Sequence, residues 1–252
     1  MIDNRVALVT GAGMGIGAAV AQRLARDGFV VIATDVNADA VQATAAAIDE
    51  AGGQAHALTM DVGNPQSIEA GFAVVADRYG RCDVLVNNAG IAKTFPFFDY
   101  PLDHWNQVMA VNVTGPLLCA QHAVRLMRPL GWGRIINMSS ISGLRASAGR
   151  TAYGTSKAAV IGLTRQMAIE LAPLGITANA IAPGPIDTPL TIALHSPVAR
   201  ANYTNAVPAG RYGKPEEIAG AVAFLASDDA AFVNGHVMPV DGGFIAAGVL
   251  EI

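Results

Sequence analysis

Tyr153 and Lys157 stand four residues apart in the run Tyr153-Gly-Thr-Ser-Lys157. On a helix that spacing puts both side chains on one face, one turn apart. A free phenol titrates at about pH 10, too high for a general base at neutral pH. A neighbouring ammonium stabilises the phenolate and draws the group toward its working range. The pair therefore predicts proton transfer by Tyr153 with support from Lys157. Ser140 precedes the tyrosine by 13 residues, and its hydroxyl is expected to hydrogen-bond a substrate oxygen beside the phenol. Tyr-x-x-x-Lys alone also describes an ordinary surface pair. A glycine-rich segment far upstream makes that bland reading a poor one.

That segment is Thr10-Gly11-Ala12-Gly13-Met14-Gly15-Ile16-Gly17, between a β-branched run and a helical one. Glycines let the backbone turn tightly and approach a pyrophosphate, whose charge the helix N-terminus stabilises. The spacing is T-G-x-x-x-G-x-G, not the commoner G-x-G-x-x-G. Asp35 follows 18 residues after Gly17, at the end of the next strand-like run. A carboxylate there accepts hydrogen bonds from the ribose hydroxyls of an adenosine. A 2′-phosphate would meet a like charge, and no Arg or Lys lies between Arg26 and Arg78. The expected cofactor is therefore NAD, with NADP disfavoured; helix capping is the competing role for Asp35. Asp61-Val62, Asn87-Asn88-Ala89-Gly90 and Pro183-Gly184-Pro185-Ile186-Asp187-Thr188 also fall at strand ends. Each alone reads as a turn, and together they outline one cleft.

The elements that must position these groups alternate along the chain. Val6–Val9, Val30–Thr34, Ala55–Met60, Val84–Asn87, Arg134–Met138, Thr177–Ala182 and Val237–Val240 read as strands, mostly continuous apolar runs. Gly15–Asp27, Ala38–Ala51, Ser67–Tyr79, Trp105–Met127, Ala152–Ala172 and Pro215–Leu225 carry helical spacing. Asn37 and Asn64-Pro65 look like helix starts. This alternation predicts an α/β fold of the Rossmann type. It is a doubly wound sandwich with a parallel sheet of about seven strands and helices on both faces. No linker divides the chain, so residues 1–252 read as a single domain. A less regular stretch from about Pro183 to Gly213 reads as a lid or substrate loop.

Composition bounds the function classes. Charged residues make up 14% and apolar residues 52% of the chain. A typical soluble domain carries about 25% charged residues, so surface hidden in an oligomer is expected. Gly, polar residues or charges interrupt every apolar stretch before it reaches a membrane span. The net charge is −4 with no basic block, which leaves no footprint for nucleic acid. Cys82 and Cys119 lack metal or redox spacing, so no metal site is expected. The N-terminus lacks the basic head and apolar centre of a signal peptide, which implies a reducing, cytoplasmic setting.

With these motifs in order, the sequence resembles the short-chain dehydrogenase/reductase family, in its shorter single-domain branch. The resemblance runs from about Val6 to Phe244. It rests on Thr10 to Gly17, on Asn87 to Gly90, and on Ser140 with Tyr153 and Lys157. Asn112, in Val-Met-Ala-Val-Asn-Val, is similar to the family's fourth catalytic position. Pro183-Gly184 and Asp241-Gly242-Gly243 also correspond.

The resemblance implies that Tyr153 exchanges a proton with the substrate oxygen while Ser140 polarises it. It implies that Lys157 binds the nicotinamide ribose and lowers the tyrosine pKa, and that Asn112 holds a water in a proton relay. Gly11, Gly15, Ile16 and Gly17 would cradle the cofactor. Met14 stands where NADP-preferring members often carry a basic residue. Asp35, Asp61 and Val62 would contact the adenosine half. Asn88, Gly90 and the Ile186–Thr188 segment would flank the nicotinamide half. Homotetramers are common in the family.

Other positions stay open in the sequence. His195 reads as substrate contact or solvated loop. Arg145 and Arg150 could face the cleft or a neighbouring subunit. Phe95, Phe97, Phe98 and Tyr100 could wall a pocket or fill a loop core. The expected activity is NAD-dependent interconversion of a secondary alcohol and a ketone or aldehyde. The alternatives are a 3-oxoacyl-thioester reductase or a non-catalytic NAD sensor. Trp105–Met127, Ala152–Ala172 and Val237–Ile252 are the expected subunit contacts. Gel filtration should give a mass well above the 25.9 kDa of one chain; a monomer mass at working concentration contradicts the expectation.

Overall fold

A computed structural model describes residues 5–248; the end of the Val237–Ile252 segment lies outside the described residues. Seven strands form one parallel sheet: β1 (Val6–Thr10), β2 (Val30–Asp35), β3 (Gln54–Thr59), β4 (Val84–Asn87), β5 (Gly133–Met138), β6 (Ile176–Pro183) and β7 (Val237–Val240). Their order is β3-β2-β1-β4-β5-β6-β7. All seven match the strands expected from sequence to within a residue at each end. The order reverses between β1 and β4, which opens a crevice at the carboxyl ends of the strands.

Alternation along β1 shows how the two layers arise. Ala7 and Val9 face one side, where they pack with Val20 and Leu24 of α1 (Gly15–Arg26). Val41 and Ile48 of α2 (Ala38–Glu50) share that side, as do Ile218 and Val222 of α9 (Pro215–Ala226). Val6 and Leu8 face the other side, against Ile68 and Phe72 of α3 (Pro65–Tyr79). Cys119 and Ala123 of α5 (Gly115–Met127) complete that layer with Met167 of α6 (Thr151–Leu171). Both cysteines are free and fully buried.

Three segments depart from the expected elements. Trp105–Met127 is not one regular helix. It begins earlier as α4 (Leu102–Met109), widens into a π turn over Ala110–Thr114 and continues as α5. The cause lies in Pro116, which has no N–H to give to the carbonyl of Asn112 and whose ring crowds it. The turn opens instead, and Gly115 N–H bonds to the carbonyl of Ala110, five residues back. The third helix starts at Pro65 rather than Ser67, because Asn64 Oδ1 accepts from Gln66 N–H and Ser67 N–H at that point.

The stretch from Pro183 to Gly213 is more ordered than expected. It contains α7 (Pro189–Leu194) and α8 (Pro197–Ala206). Thr188 and Ser196 each accept from the backbone N–H three residues on, and each precedes a proline at the first helical position. No helix among the described residues is long and apolar enough to cross a membrane.

Candidate active site

The crevice at the carboxyl ends of the strands is a cleft of about 550 Å³. Every residue expected to contact cofactor borders it: Gly11, Met14, Gly15, Ile16, Gly17, Asp35, Asp61, Val62, Asn88, Gly90, Tyr153, Lys157, Pro183, Gly184, Ile186 and Thr188. Ser140 borders it too. A second hollow of similar volume lies at the opposite end, beside Val6, Val30 and Gln54, away from the glycine turn and the tyrosine.

The glycine turn is built so that no side chain fills it. Gly11 and Gly15 have φ of 64° and 57°, in the left-handed region. A Cβ on Gly17 would lie 2.0 Å from the carbonyl oxygen of Gly11, so the helix packs directly on the strand end. Met14 precedes α1 and is 52% exposed, and it offers no side-chain cap to the first turn. The free N–H groups and positive end of α1 thus face the cleft, a fit for a pyrophosphate. Asn88 borders the cleft and also braces the glycine turn. Its Nδ2 donates to the carbonyls of Thr10 (2.9 Å) and Gly11 (3.0 Å), so the side chain braces the turn. Thr10 Oγ1 returns the tie by accepting from Asn88 N–H and Ala89 N–H.

Asp35 closes the adenosine end. Its Oδ2 accepts from Gly13 N–H at 3.0 Å and its Oδ1 from Asn37 N–H at 3.0 Å. Asn37, not Asp35, caps α2. The remaining lone pairs face the cleft, whose wall holds one cation, Lys157, at the far end.

There the catalytic candidates meet. Lys157 is 4% exposed, and its Nζ donates to the carbonyl of Met138 at the end of β5, at 2.7 Å. Burial pushes its pKa down to about 8. Ser140 follows the same strand, and its Oγ accepts from Ser142 N–H. A Cβ on Gly90 would meet Asn112 Oδ1 at 3.3 Å and Lys157 Nζ at 3.4 Å, so those two side chains converge. Asn112, turned inward by the π turn, accepts from Ile91 N–H and donates to the Ile91 carbonyl and to Ser156 Oγ.

Tyr153 departs from the expected electrostatics. Burial of the phenol raises its pKa, and that effect outweighs the Ser140 hydrogen bond and the Arg150 charge, which lower it. Two cations flank the ring, Arg150 at 5.5 Å and Lys157 at 5.6 Å from its centre, and the Lys157 ammonium is also held by the Met138 carbonyl. Sequence reasoning missed Ser139, Gly143 and Ser156. Ser139 Oγ donates to the Lys157 carbonyl, and Gly143 lets the backbone of Lys157 approach. Ser156 Oγ links Asn112 to the Tyr153 carbonyl. Their small size and neighbouring positions were the only signal available.

The buried lysine gives a stability prediction with a definite sign. An unfolded lysine keeps its proton to about pH 10.5, so between about pH 8 and that value the unfolded state binds more protons and stability rises with pH. Below about pH 8 the full cost, about 3 kcal/mol, is present. Lys157→Met removes it and leaves the Met138 carbonyl unpaired, at about 1 kcal/mol. The variant should lose turnover yet melt at least as high as the parent at pH 7. That advantage should close as pH rises to about 10.5. A variant that melts lower by the same amount throughout contradicts the assignment.

Comparison with known proteins agrees with this geometry. The profile of a family described as enoyl-(acyl carrier protein) reductase matches residues 11–245. The 3-oxoacyl-[acyl-carrier-protein] reductase FabG of Aquifex aeolicus is 39% identical over 243 residues, covering 96% of this chain and 98% of that protein. The cis-4-hydroxycyclohexanecarboxylate dehydrogenase of Sinomonas cyclohexanicum is 44% identical over 244 residues, covering 96% and 97%. The crystal structure of a gluconate 5-dehydrogenase from Burkholderia cenocepacia, in complex with NADP and tartrate, superposes with a TM-score of 0.93. It is 36% identical, with coverage of 98% and 97%. Cleft, serine, tyrosine and lysine thus stand on a shared scaffold: the chain belongs to the short-chain dehydrogenase/reductase family of nicotinamide-dependent oxidoreductases.

Proposed function

We propose that the protein interconverts a secondary alcohol and its ketone, with NAD as the preferred partner. The observation that carries this reading is the meeting of Ser140, Tyr153 and Lys157 at one end of a cleft whose other end is the glycine turn. When bound, the oxidised nicotinamide dinucleotide would supply a hydride acceptor. Ser140 orients the substrate oxygen. In oxidation the alcohol O–H proton passes to the Tyr153 phenolate, the carbon gives up its hydride and a C=O bond forms. In reduction Tyr153 returns the proton. Lys157 stands where its ammonium can reach ribose hydroxyls while held by Met138. Asn112 and Ser156 fix the start of α6 from behind.

Support for NAD comes from Asp35 and from the lack of a cation near it in the cleft wall. The gluconate 5-dehydrogenase that resembles this chain was solved with NADP. A 2′-phosphate in this cleft would stand against Asp35. The second reading, reduction of a 3-oxoacyl thioester, is favoured by the FabG relatives. Supply of a 3-oxoacyl thioester with NADPH beside a secondary alcohol with NAD separates the two.

We also propose a homotetramer. Ile169 on α6 is 78% exposed and Phe232 wholly so. The accessible surface of 11693 Å² exceeds the roughly 10,500 Å² of a compact monomer of this mass.

Two variants test the chemistry and the cofactor. Tyr153→Phe should lower kcat by about 10³-fold or more while NAD affinity stays within about twofold; turnover near the parent level contradicts the acid/base role. Because the phenol must be ionised for oxidation and its pKa is raised, parent oxidation should quicken from neutral into alkaline pH. Asp35→Ala should reduce the NAD/NADP preference in kcat/KM by about 10- to 100-fold. An unchanged ratio would assign Asp35 to the turn alone.

A further inference from the structure

Arg150 immediately precedes α6, and its guanidinium carbon lies 5.5 Å from the centre of the Tyr153 ring. Among the described residues no carboxylate pairs with it. Its hydrogen-bond partner is His195, whose Nε2 is 2.9 Å from Arg150 Nη2. That histidine brings no negative charge, and burial together with the charges of Arg150 and Arg200 keeps its pKa below the usual value. The nearby carboxylate, Asp187, is already taken by Arg200 at 2.6 Å. Arg150 therefore stands beside the reacting phenol with no carboxylate partner; the other cation there, Lys157, 5.6 Å from the ring centre, is buried and held by the Met138 carbonyl.

The surroundings are aromatic. His195 stacks on Tyr203, with ring centres 5.0 Å apart and planes within 14°. Its Nδ1 meets Tyr212 Oη at 2.9 Å, and Tyr203 also packs against Phe244. These aromatics come from the α7–α8 segment and its flanks, the part of the chain that overhangs Tyr153. A guanidinium has five N–H donors in a planar fork, and His195 occupies one of them. The first turn of α6 has no side-chain cap, so its positive end adds to the same field.

We propose that Arg150 binds a carboxylate of the substrate, so that the alcohol oxidised at Tyr153 is a hydroxy acid and the product an oxo acid. The fork matches a carboxylate in two parallel hydrogen bonds. Arg200, the other guanidinium of this cluster, is already matched by Asp187. The inference rests on the alcohol–ketone reading of the site and adds the class of substrate to it.

Titration calorimetry with saturating NAD tests the anion site apart from turnover. The probes are cyclohexanecarboxylate and hexanoate, each beside its neutral amide, and none of them has a hydroxyl to oxidise. In the parent protein the acids should bind about 10-fold or more tighter than the amides. Arg150→Gln should erase that preference, whereas Arg150→Lys should keep part of it. The proposal is overturned if acid and amide bind the parent alike, or if Arg150→Gln leaves the preference intact. Kinetics with 4-hydroxycyclohexanecarboxylate and its methyl ester give the second readout. Arg150→Gln should raise KM for the acid far more than for the ester, while any fall in kcat from the missing charge beside Tyr153 falls on both substrates alike; an equal rise in KM for both would contradict the anion site. Selective acid binding without oxidation of any alcohol would count against the oxidoreductase reading and leave the anion site standing. Turnover of neutral alcohols without acid preference would do the reverse.

Discussion

The ammonium of Lys157 donates a hydrogen bond to the carbonyl of Met138, and that 2.7 Å contact ties the start of α6 to the end of β5. A buried cation is costly, and it is tolerated here because the strand leaves a carbonyl with no sheet partner at that point. The bond sets the rotation of α6 about its axis. Tyr153, one turn earlier, then has no choice but to stand over Ser140. Ser139 makes the same junction from the strand side by donating to the carbonyl of Lys157, and Gly143 removes the Cβ that would hold the two backbones apart. Deeper in the core, Asn137 bonds to Asn87 and to Thr164, so β4, β5 and α6 are pinned together by buried polar groups. Placement of the reacting phenol is thus a property of the sheet, transmitted through hydrogen bonds rather than through loop packing.

The opposing electrostatic demands on Tyr153 divide the labour among its neighbours. Exclusion from water favours the neutral phenol, which suits proton donation to a ketone oxygen. Ionisation needs positive charge close by, and the protein supplies it through Arg150 and Lys157, 5.5 Å and 5.6 Å from the ring centre. Lys157 is oriented by the strand, whereas Arg150 is held by a neutral histidine and can turn toward another acceptor. One cation therefore serves architecture and the other is available to a ligand.

Periodicity and turn residues made the sheet readable from the chain. Buried parallel strands are continuous apolar runs, and their bounds follow from where those runs stop. The residues that border the cleft were readable because glycines, Asp35 and the Asn87–Gly90 turn sit at strand ends, and strand ends in such a sheet face one side. Pro116 fell inside a run with good helical spacing, and spacing does not register the loss of one N–H. Thr188-Pro189 and Ser196-Pro197 carried start signals for α7 and α8, but each helix is too short to show a periodic face. The neighbours of Arg150 could not be read at all. His195, Tyr203 and Tyr212 come from a segment whose path over Tyr153 is fixed only by tertiary packing.

The π turn over Ala110–Thr114 has a consequence for how this chain can change. One extra residue in a helical turn advances everything after it by about 100° of rotation. The inward face of α4 and the inward face of α5 are therefore out of phase, and each is set correctly only because the extra residue is there. Deleting a single residue from the turn would shift the register of the two helices and swing Asn112 away from Ile91. It would also rotate Cys119, Ala123 and Met127 off the sheet. Length in this segment is locked between the site and the core, so substitution is open to it and indels are not.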